Sequence, residues 1–302
     1  MRGYAPWFRS GSGDPNVEPF TYRAWKWCCQ QTLGLTDWDA DLFDRLRATD
    51  WDVVLVLDAC RYDVLADVAT DAAVERARSP ATATRQFLER AAADGVFDGT
   101  TYVSANPQTS RQIPGDAVNL VEVHESGWDD GLRTVPPAAV YDEVRDHVGA
   151  DTRVVAHTVQ PHYPHICEFG GRLRAVPNGL HPTELGLAGD REDGLQVQGF
   201  LSQGRVDLDL ARRSYRAAVE YAWERARTLA ADLAEQGYTT VVTADHGELF
   251  GEWGLVEHPV DIPVAGLVEV PWLVVGPPAR VEDAPGAGET VDDRLAALGY
   301  IE

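Results

Sequence analysis

A chain of 302 residues is long enough to bury a large core, and without an obvious internal linker it predicts one α/β domain with additional segments. Its formal net charge of −22 argues against nucleic-acid binding, which needs a basic surface stripe. No run of roughly 18 apolar residues occurs, so we expect no transmembrane segment.

The basic residues are almost all arginine, since Lys26 is the only lysine. Such a surface is typical of proteins adapted to molar salt, where carboxylates hold water and their repulsion is screened. We therefore interpret the charge as a halophilic, archaeal-like adaptation, with a cation-binding or mimicry surface as the alternative. No apolar signal region follows Met1, and the four cysteines form no CxxC motif. We expect a cytoplasmic protein with reduced thiols.

Apolar periodicity divides the chain into alternating strands and helices. Residues 1–50 predict an N-terminal arm with a short helix over 39–46, and residues 51–302 predict the main domain. The predicted strands are residues 53–57, 101–104, 153–158, 239–243 and 271–275, and the predicted helices are 64–77, 85–93, 212–236 and 291–298. The Gly-rich, aperiodic residues 166–205 predict a lid or insertion. Alternating strands and helices predict a three-layer α/β/α sandwich with a mainly parallel central sheet.

Polar side chains follow three of these strands. Asp58 comes after the first, a histidine-rich segment over 157–165 after the third, and Asp245-His246 after the fourth. Each alone has an ordinary alternative, since an acid after a strand often caps the next helix and a loop histidine is usually solvated. Ligands of parallel sheets bind beyond the carboxyl ends of the strands, so together the clusters predict a metal site that His258 could join.

Three segments resemble the sulfatase-like members of the alkaline phosphatase superfamily. TADHGE at 243–248, followed by His258, resembles their C-terminal metal motif. VLVLDACRYD at 54–63 resembles their opening strand and first metal-binding Asp, and HTVQPHYP at 157–164 resembles their H-x-x-x-P-H-x-P segment. The match runs in order over residues 51–275.

The resemblance implies an alkaline phosphatase-like fold with one or two divalent ions, zinc first and Mn²⁺, Mg²⁺ or Ca²⁺ as alternatives. The substrate it implies is a phosphate or sulfate ester on a small molecule, glycan or lipid. The implied metal ligands are Asp58, Thr84, Asp245, His246 and His258. His162 and His258 are implied to complete a second site or to grip the substrate, and His162 is also the implied proton donor to the leaving oxygen. Glu248 and Glu252 are expected to support the ligands or face solvent.

The resemblance also implies a nucleophile at the start of the helix that follows segment 79–85. Thr84 is the first choice, because it adjoins the helix and its T-A-T context resembles the phosphoethanolamine-transferase branch that uses threonine. Thr82 is the second, and the alternative is that Thr84 only caps the helix. Further predicted substrate contacts are Arg61, Arg85 and His157.

Departures from the family pattern narrow the chemistry. No cysteine lies in the C/S-x-P-x-R context that true sulfatases convert to formylglycine, and Asp58 is followed by Ala59 instead of a second acid. His165 replaces the usual tyrosine, which we interpret as a surface substitution, with an added ligand as the alternative. We therefore favour a phosphate-ester hydrolase or transferase; a sulfatase and a non-catalytic binding homologue remain alternatives.

Overall fold

The computed structural model describes residues 20–33, 38–169, 172–175 and 208–277. The strands are β1 (Val53–Leu57), β2 (Glu75–Arg78), β3 (Thr101–Ser104), β4 (Asn119–Glu122), β5 (Val154–Thr158), β6 (Ile166–Phe169), β7 (Arg172–Ala175), β8 (Thr240–Thr243), β9 (Leu249–Phe250), β10 (Val256–Glu257) and β11 (Glu269–Val275). The helices are α1 (Phe20–Leu33), α2 (Leu42–Ala48), α3 (Tyr62–Val68), α4 (Thr84–Asp94), α5 (Thr109–Gln112), α6 (Val123–Ser126), α7 (Pro137–His147), α8 (Leu208–Glu235) and α9 (Ala265–Val268), with a 3₁₀ turn at Glu252–Gly254.

A seven-stranded sheet in the order β2-β11-β8-β1-β5-β3-β4 forms the centre of the fold. The neighbours from β8 to β4 pair in parallel, and β11 is antiparallel to both β8 and β2. The predicted mainly parallel α/β architecture is confirmed. Two small hairpins, β6-β7 and β9-β10, lie outside this sheet.

Strand β1 lies between β5 and β8, and all five of its residues are buried. Its run of Val and Leu suits this position, because a strand covered on both faces needs no polar side. Helix α8 covers the sheet with an apolar stripe that includes Tyr215, Val219 and Leu233. Gly237, in the left-handed conformation at φ 96°, turns the chain from α8 towards β8.

Some predicted elements differ from the structure. The helix predicted over 64–77 ends at Val68, and the chain then forms the edge strand β2, which the alternation of charged residues did not reveal. Strand β4 and helix α7 were not predicted. The first part of the predicted lid is the β6-β7 hairpin; its remainder, the helix over 291–298 and residues 1–19 lie outside the described residues. The division into an arm over 1–50 and a domain over 51–302 stays a prediction.

Within the part of the chain described above, no helix is both long and apolar enough to cross a bilayer.

Candidate metal centre

The candidate site lies where the central strands end. Asp58 directly follows β1, Asn106 follows β3, His162 follows β5, and Asp245 and His246 follow β8. Because these four strands are parallel neighbours, their carboxyl ends meet at one edge of the sheet. This edge collects the polar clusters that the sequence placed after separate strands.

Backbone donors fix the carboxylate of Asp245. Its Oδ1 accepts hydrogen bonds from the N–H of Ala59 at 3.0 Å and of His246 at 2.9 Å. Ala59 holds a left-handed φ of 60°, an uncommon conformation for alanine, and in this turn its N–H reaches Asp245. Oδ2 is buried and has no hydrogen-bond partner among the described residues. Oδ2 is therefore the oxygen left to bind a ligand.

His246 has its ring held in one tautomer. Its Nδ1 lies 2.7 Å from the carbonyl oxygen of Gly247, which can only accept, so Nδ1 carries the proton and Nε2 the lone pair. Nε2 faces Thr84 Oγ1 at 3.1 Å, Asp245 Oδ2 at 3.4 Å and Asp58 Oδ1 at 3.5 Å. This is the tautomer that a metal-binding imidazole requires.

Asp58 and Asp245 are two buried carboxylates in one small site. Asp58 accepts hydrogen bonds from Asn106 Nδ2 at 3.1 Å and from Thr84 Oγ1 at 3.3 Å. Burial and the neighbouring Asp245 charge raise the pKa of Asp58 well above its usual range. For Asp245, burial alone would also raise the pKa, but His246 and His157 lower it below its usual range.

The residues present fit a divalent metal ion. Ligand atoms of Asp58, Asp245 and His246 all lie within 4.8 Å of one another. Among the described residues, neither carboxylate forms an ion pair with lysine or arginine, so no lysine or arginine of this part of the chain compensates their charge. The unpartnered Oδ2 of Asp245 and the lone pair of His246 Nε2 point into the same space. A mixed Asp and His set suits Zn²⁺ or Mn²⁺.

A second possible ligand group consists of His162, Glu248 and His258. His258 Nδ1 lies 3.1 Å from Glu248 Oε2, and the rings of His162 and His258 are 5.1 Å apart. Burial lowers the pKa of His162 and of His258 to about 4 and raises that of Glu248 to about 7. Both imidazoles are therefore neutral near pH 7, the state that binds metal.

The two ligand groups adjoin, since the rings of His246 and His258 are 4.7 Å apart. The sequence left His258 either beside Asp245-His246 or, with His162, in a second site; the structure groups it with His162 and Glu248. Glu248 was expected to support ligands or face solvent, but it is buried within the second group. The sequence signal for this placement was the position of Glu248, three residues after Asp245.

Thr84 is the first residue of α4 and lines the cleft beside the metal ligands. The helix cap is Ala83, and no side chain caps the helix, so the interpretation of Thr84 as an N-cap is wrong. Its hydroxyl instead contacts Asp58 and His246. The cleft has a volume of about 530 Å³ and is also lined by Lys26, Arg85, Asn106, His162 and His258.

Thr82, the second nucleophile candidate, and His157, a predicted substrate contact, do not face this cleft. Thr82 is fully buried, with its Oγ1 accepting from the N–H of Asp261 at 3.0 Å. His157 is also fully buried beneath the site: its Nδ1 lies 2.9 Å from the hydroxyl of Tyr102, and its Nε2 lies 3.6 Å from Asp245 Oδ2. Without solvent access neither can touch a substrate, and His157 supports Asp245 from below.

The guanidinium of Arg61 is occupied by contacts that hold the fold together. It pairs with Asp63 at 2.7 Å and with Glu252 at 2.5 Å, and Nη1 donates to the carbonyl oxygen of Glu248 at 3.0 Å. Arg61 therefore holds the loop after the candidate metal ligands in place instead of facing a substrate. Arg85 does line the cleft, although Glu89 pairs with it at 2.7 Å on the exposed side of α4.

Two further residues complete the site's surroundings. Asn106, which orients Asp58, was not predicted, although its place two residues after β3 was a signal of a similar kind to that of Asp58. His165 was interpreted as a surface substitution, but it is buried, with Nδ1 2.6 Å from Ser214 Oγ and its ring against Tyr215. Its role is packing beneath the β5 loop.

Comparisons with known proteins bear on the fold. No protein-family model matches the chain, and no curated protein does. The soluble domain of lipooligosaccharide phosphoethanolamine transferase A from Neisseria meningitidis matches with a TM-score of 0.50 and 14% identity, over 74% of this chain and 75% of that one. Such proteins are members of the alkaline phosphatase-like superfamily.

The fold is alkaline phosphatase-like.

Two other solved structures of this fold are similar. The integral membrane form of the Neisseria transferase gives a TM-score of 0.49 at 14% identity; the match covers 77% of this chain and 49% of that protein, so this chain spans about half its length. A sulfatase from Bacteroides thetaiotaomicron, named so provisionally, gives 0.40 at 11% identity over 74% of this chain and 64% of that one. Likeness at these identities concerns the alkaline phosphatase-like fold and leaves the reaction to the site itself.

Proposed function

We propose that the chain is a metal-dependent hydrolase or transferase of phosphate esters with Thr84 as its nucleophile. One observation carries this proposal: the only hydroxyl in contact with both Asp58 and His246, among the described residues, is that of Thr84. A serine or threonine hydroxyl beside metal ligands is the arrangement that covalent phosphoryl transfer needs. The transferase and sulfatase names of the structural neighbours support an ester-cleaving reaction of this kind.

Asp58, Asp245 and His246 would hold the first divalent ion. Such an ion supplies positive charge that lowers the pKa of an adjacent hydroxyl and stabilises negative charge on the transferring group. The carboxylates that would bind this ion are already oriented, because hydrogen bonds from Ala59 to Asp245 and from Asn106 to Asp58 fix their positions. The site therefore needs little rearrangement to bind.

The chain's own groups then define the reaction. The Thr84 hydroxyl gives its proton to Asp58 Oδ1, and Oγ1 forms a bond to phosphorus while the bond from phosphorus to the leaving oxygen breaks. The leaving oxygen takes up a proton from solvent. Water or an acceptor hydroxyl then attacks phosphorus and gives its proton to solvent, while the bond from phosphorus to Thr84 Oγ1 breaks. Oγ1 takes back the proton held by Asp58, and phosphate or a new ester is released. Thr84 is the first residue of α4, so the first N–H groups of this helix would lie close to the transferred group and favour its negative charge.

His162 fits a different role from the predicted proton donor. Its pKa of about 4, caused by burial and by His258, leaves it neutral near pH 7, so it has no proton to spare on Nε2. Its Nδ1 proton is directed to the carbonyl oxygen of Tyr163 at 2.8 Å. We therefore assign His162, with Glu248 and His258, to a second cation or to the substrate oxygens that a cation there would bind.

Lys26 and Arg85 are the cationic side chains of the described cleft lining. They suit an anionic ester, and they bring its charged part towards the start of α4. The substrate class we propose is a phosphate ester of a small molecule, glycan or lipid. The cytoplasmic location and the adaptation to molar salt stay part of the proposal, the latter supported by the net charge of −22.

Matched nitrophenyl phosphate and nitrophenyl sulfate, assayed in molar salt with added Zn²⁺ or Mn²⁺, test this function. We expect turnover of the phosphate that is lost in Thr84→Ala and kept in Thr82→Val, whose hydroxyl lies outside the cleft. Faster cleavage of the sulfate would identify a sulfatase. Absence of turnover with tight metal binding would identify a non-catalytic homologue.

A further inference from the structure

Exposed large apolar side chains concentrate at one place on the molecule. Seven are exposed among the described residues, and five of them lie on α1 or on the segment from Trp253 to Val260. These five define an aromatic patch: Phe20, Trp25, Trp27, Trp253 and Val260. The two parts of the patch touch, because Trp25 Nε1 donates to the carbonyl oxygen of Trp253 at 2.8 Å.

Helix α1 presents two apolar faces. Tyr22 and Cys29 point inward and are buried, and the Tyr22 hydroxyl donates to the carbonyl oxygen of Val256 at 3.1 Å. Phe20 and Trp27, seven positions apart, share the opposite face, where they are 75% and 60% exposed. The inner face explains how α1 is held to the domain, whereas the outer face has no partner within the described chain.

The charge of α1 also differs from its surroundings. Of the described helices longer than one turn, α1 alone contains no Asp or Glu, although the chain has 48 acidic residues. Arg23, on the same side as Phe20 and Trp27, and Lys26 give this helix a local charge of +2. An aromatic and basic face on an otherwise acidic molecule complements a surface that is apolar inside and anionic outside.

The aromatic patch borders the candidate active-site cleft. Tyr22, Lys26 and Gln30 of α1 line that cleft together with Val260 and Thr84, and Gln30 Nε2 donates to the carbonyl oxygen of Val260 at 2.9 Å. A surface that rests on this patch would therefore lie beside the opening of the cleft.

We propose that the aromatic patch docks the protein onto a lipid bilayer, with α1 lying along the headgroup region. Tryptophan is the residue most suited to this region, since its ring is apolar and its N–H polar, and an amphipathic helix there gains from both apolar burial and basic side chains. The docked state brings the cleft to the headgroups. Docking rests on the patch alone and does not require the proposed phosphoryl chemistry.

Sedimentation with sucrose-loaded vesicles of phosphatidylcholine containing phosphatidylglycerol tests the proposal on the full chain. We expect the wild type to co-sediment and the double variant Phe20→Ala, Trp27→Ala to lose roughly fivefold or more of its bound fraction, because both side chains add buried apolar area. Trp128→Ala is the matched control, since Trp128 is 53% exposed but outside the patch; its binding should equal that of the wild type.

Equal binding by the wild type and the double variant, or no binding by the wild type, would overturn the proposal. The alternative occupant of the aromatic patch is a second copy of this chain. Light scattering, which measures molecular mass in solution, distinguishes this alternative from a bilayer. A dimer in solution that the double variant abolishes would also overturn bilayer docking. All these variants change exposed side chains, and their unfolding temperatures verify that they remain folded.

Discussion

The hydroxyl of Thr84 lies 3.1 Å from Nε2 of His246, although 162 positions separate the two residues. The contact arises because α4 begins, and the loop after β8 starts, at the same edge of the sheet. Asp58 Oδ1 lies 3.3 Å from the same hydroxyl. The proposed nucleophile and the candidate metal ligands thus share one buried corner.

Thr84→Ala should abolish turnover, because no other described hydroxyl reaches both Asp58 and His246. We expect a loss of roughly a thousandfold or more, the scale on which removal of a nucleophile acts. Thr84→Ser should keep part of the activity, since it retains the oxygen. Steady-state kinetics, with unfolding temperatures as the folding control, check this; a Thr84→Ala variant as active as the wild type would refute the nucleophile assignment.

His246→Ala should remove one bound metal ion from the chain. The variant leaves Asp58 and Asp245 without their imidazole partner, and loss of a metal ligand weakens affinity by at least the roughly 10- to 100-fold seen for outer partners. Elemental analysis of the purified protein measures the content. His147→Ala is the matched control, because this histidine, at the end of α7, is partly exposed and contacts Glu143. Unchanged metal content in His246→Ala would contradict the centre.

Binding of Zn²⁺ at the second ligand group should strengthen from about pH 6 to about pH 8. Burial raises the pKa of Glu248 to about 7. Below that pH the ion must displace a proton from Glu248, whereas above it the carboxylate is already free of its proton. Without metal, the wild type should also lose free energy of unfolding relative to the Glu248→Gln variant as pH rises from about 4.3 to about 7. The reason is that Glu248 holds its proton more tightly in the folded state than in the unfolded chain. Calorimetric titration and thermal unfolding across this range check both. If metal affinity and stability changed with pH in Glu248→Gln as they do in the wild type, the titrating proton would belong to another group.

Gly247→Ala should destabilise the loop that follows the candidate metal ligands Asp245 and His246. A Cβ there would lie 2.2 Å from the carbonyl oxygen of Gly266, and that oxygen belongs to backbone that cannot turn away like a side chain. Gly247 N–H also donates to the carbonyl oxygen of Leu267 at 2.8 Å, which fixes the distance. We expect a loss of about 1 to 3 kcal/mol in the free energy of unfolding. Gly149→Ala, which has open space at its Cβ, is the control. Equal stability of the two variants would contradict this prediction and would show that the loop backbone shifts to accommodate the added Cβ.

Local pattern was sufficient for the central strands and for the place of the polar side chains that directly follow them. The run of Val and Leu in β1 is specific because it serves a strand buried on both faces, and Asp58 is then fixed at its end. Asp245 and His246 follow β8 in the same way. Strand β2 escaped prediction because Glu75–Arg78 is a charged edge strand, held by pairing with β11 across almost 200 positions of sequence.

The remaining site depends on contacts that sequence spacing does not encode. Arg61 has the residue type of a phosphate ligand, but Asp63 and Glu252 occupy its guanidinium. His157 belongs to a metal-like motif, yet the direction of its side chain in β5 buries it against Tyr102. Helix α1 lines the cleft because tertiary contacts, such as that of Tyr22 with Val256, hold it to a distant segment.

Trapping the covalent intermediate tests the central claim most directly. Acid quenching during turnover of a nitrophenyl phosphate, followed by peptide mass spectrometry, should find one phosphoryl group on Thr84, in the wild type and not in Thr84→Ala. A phosphoryl group on a different residue, or sustained phosphate-ester turnover by Thr84→Ala, would contradict the account.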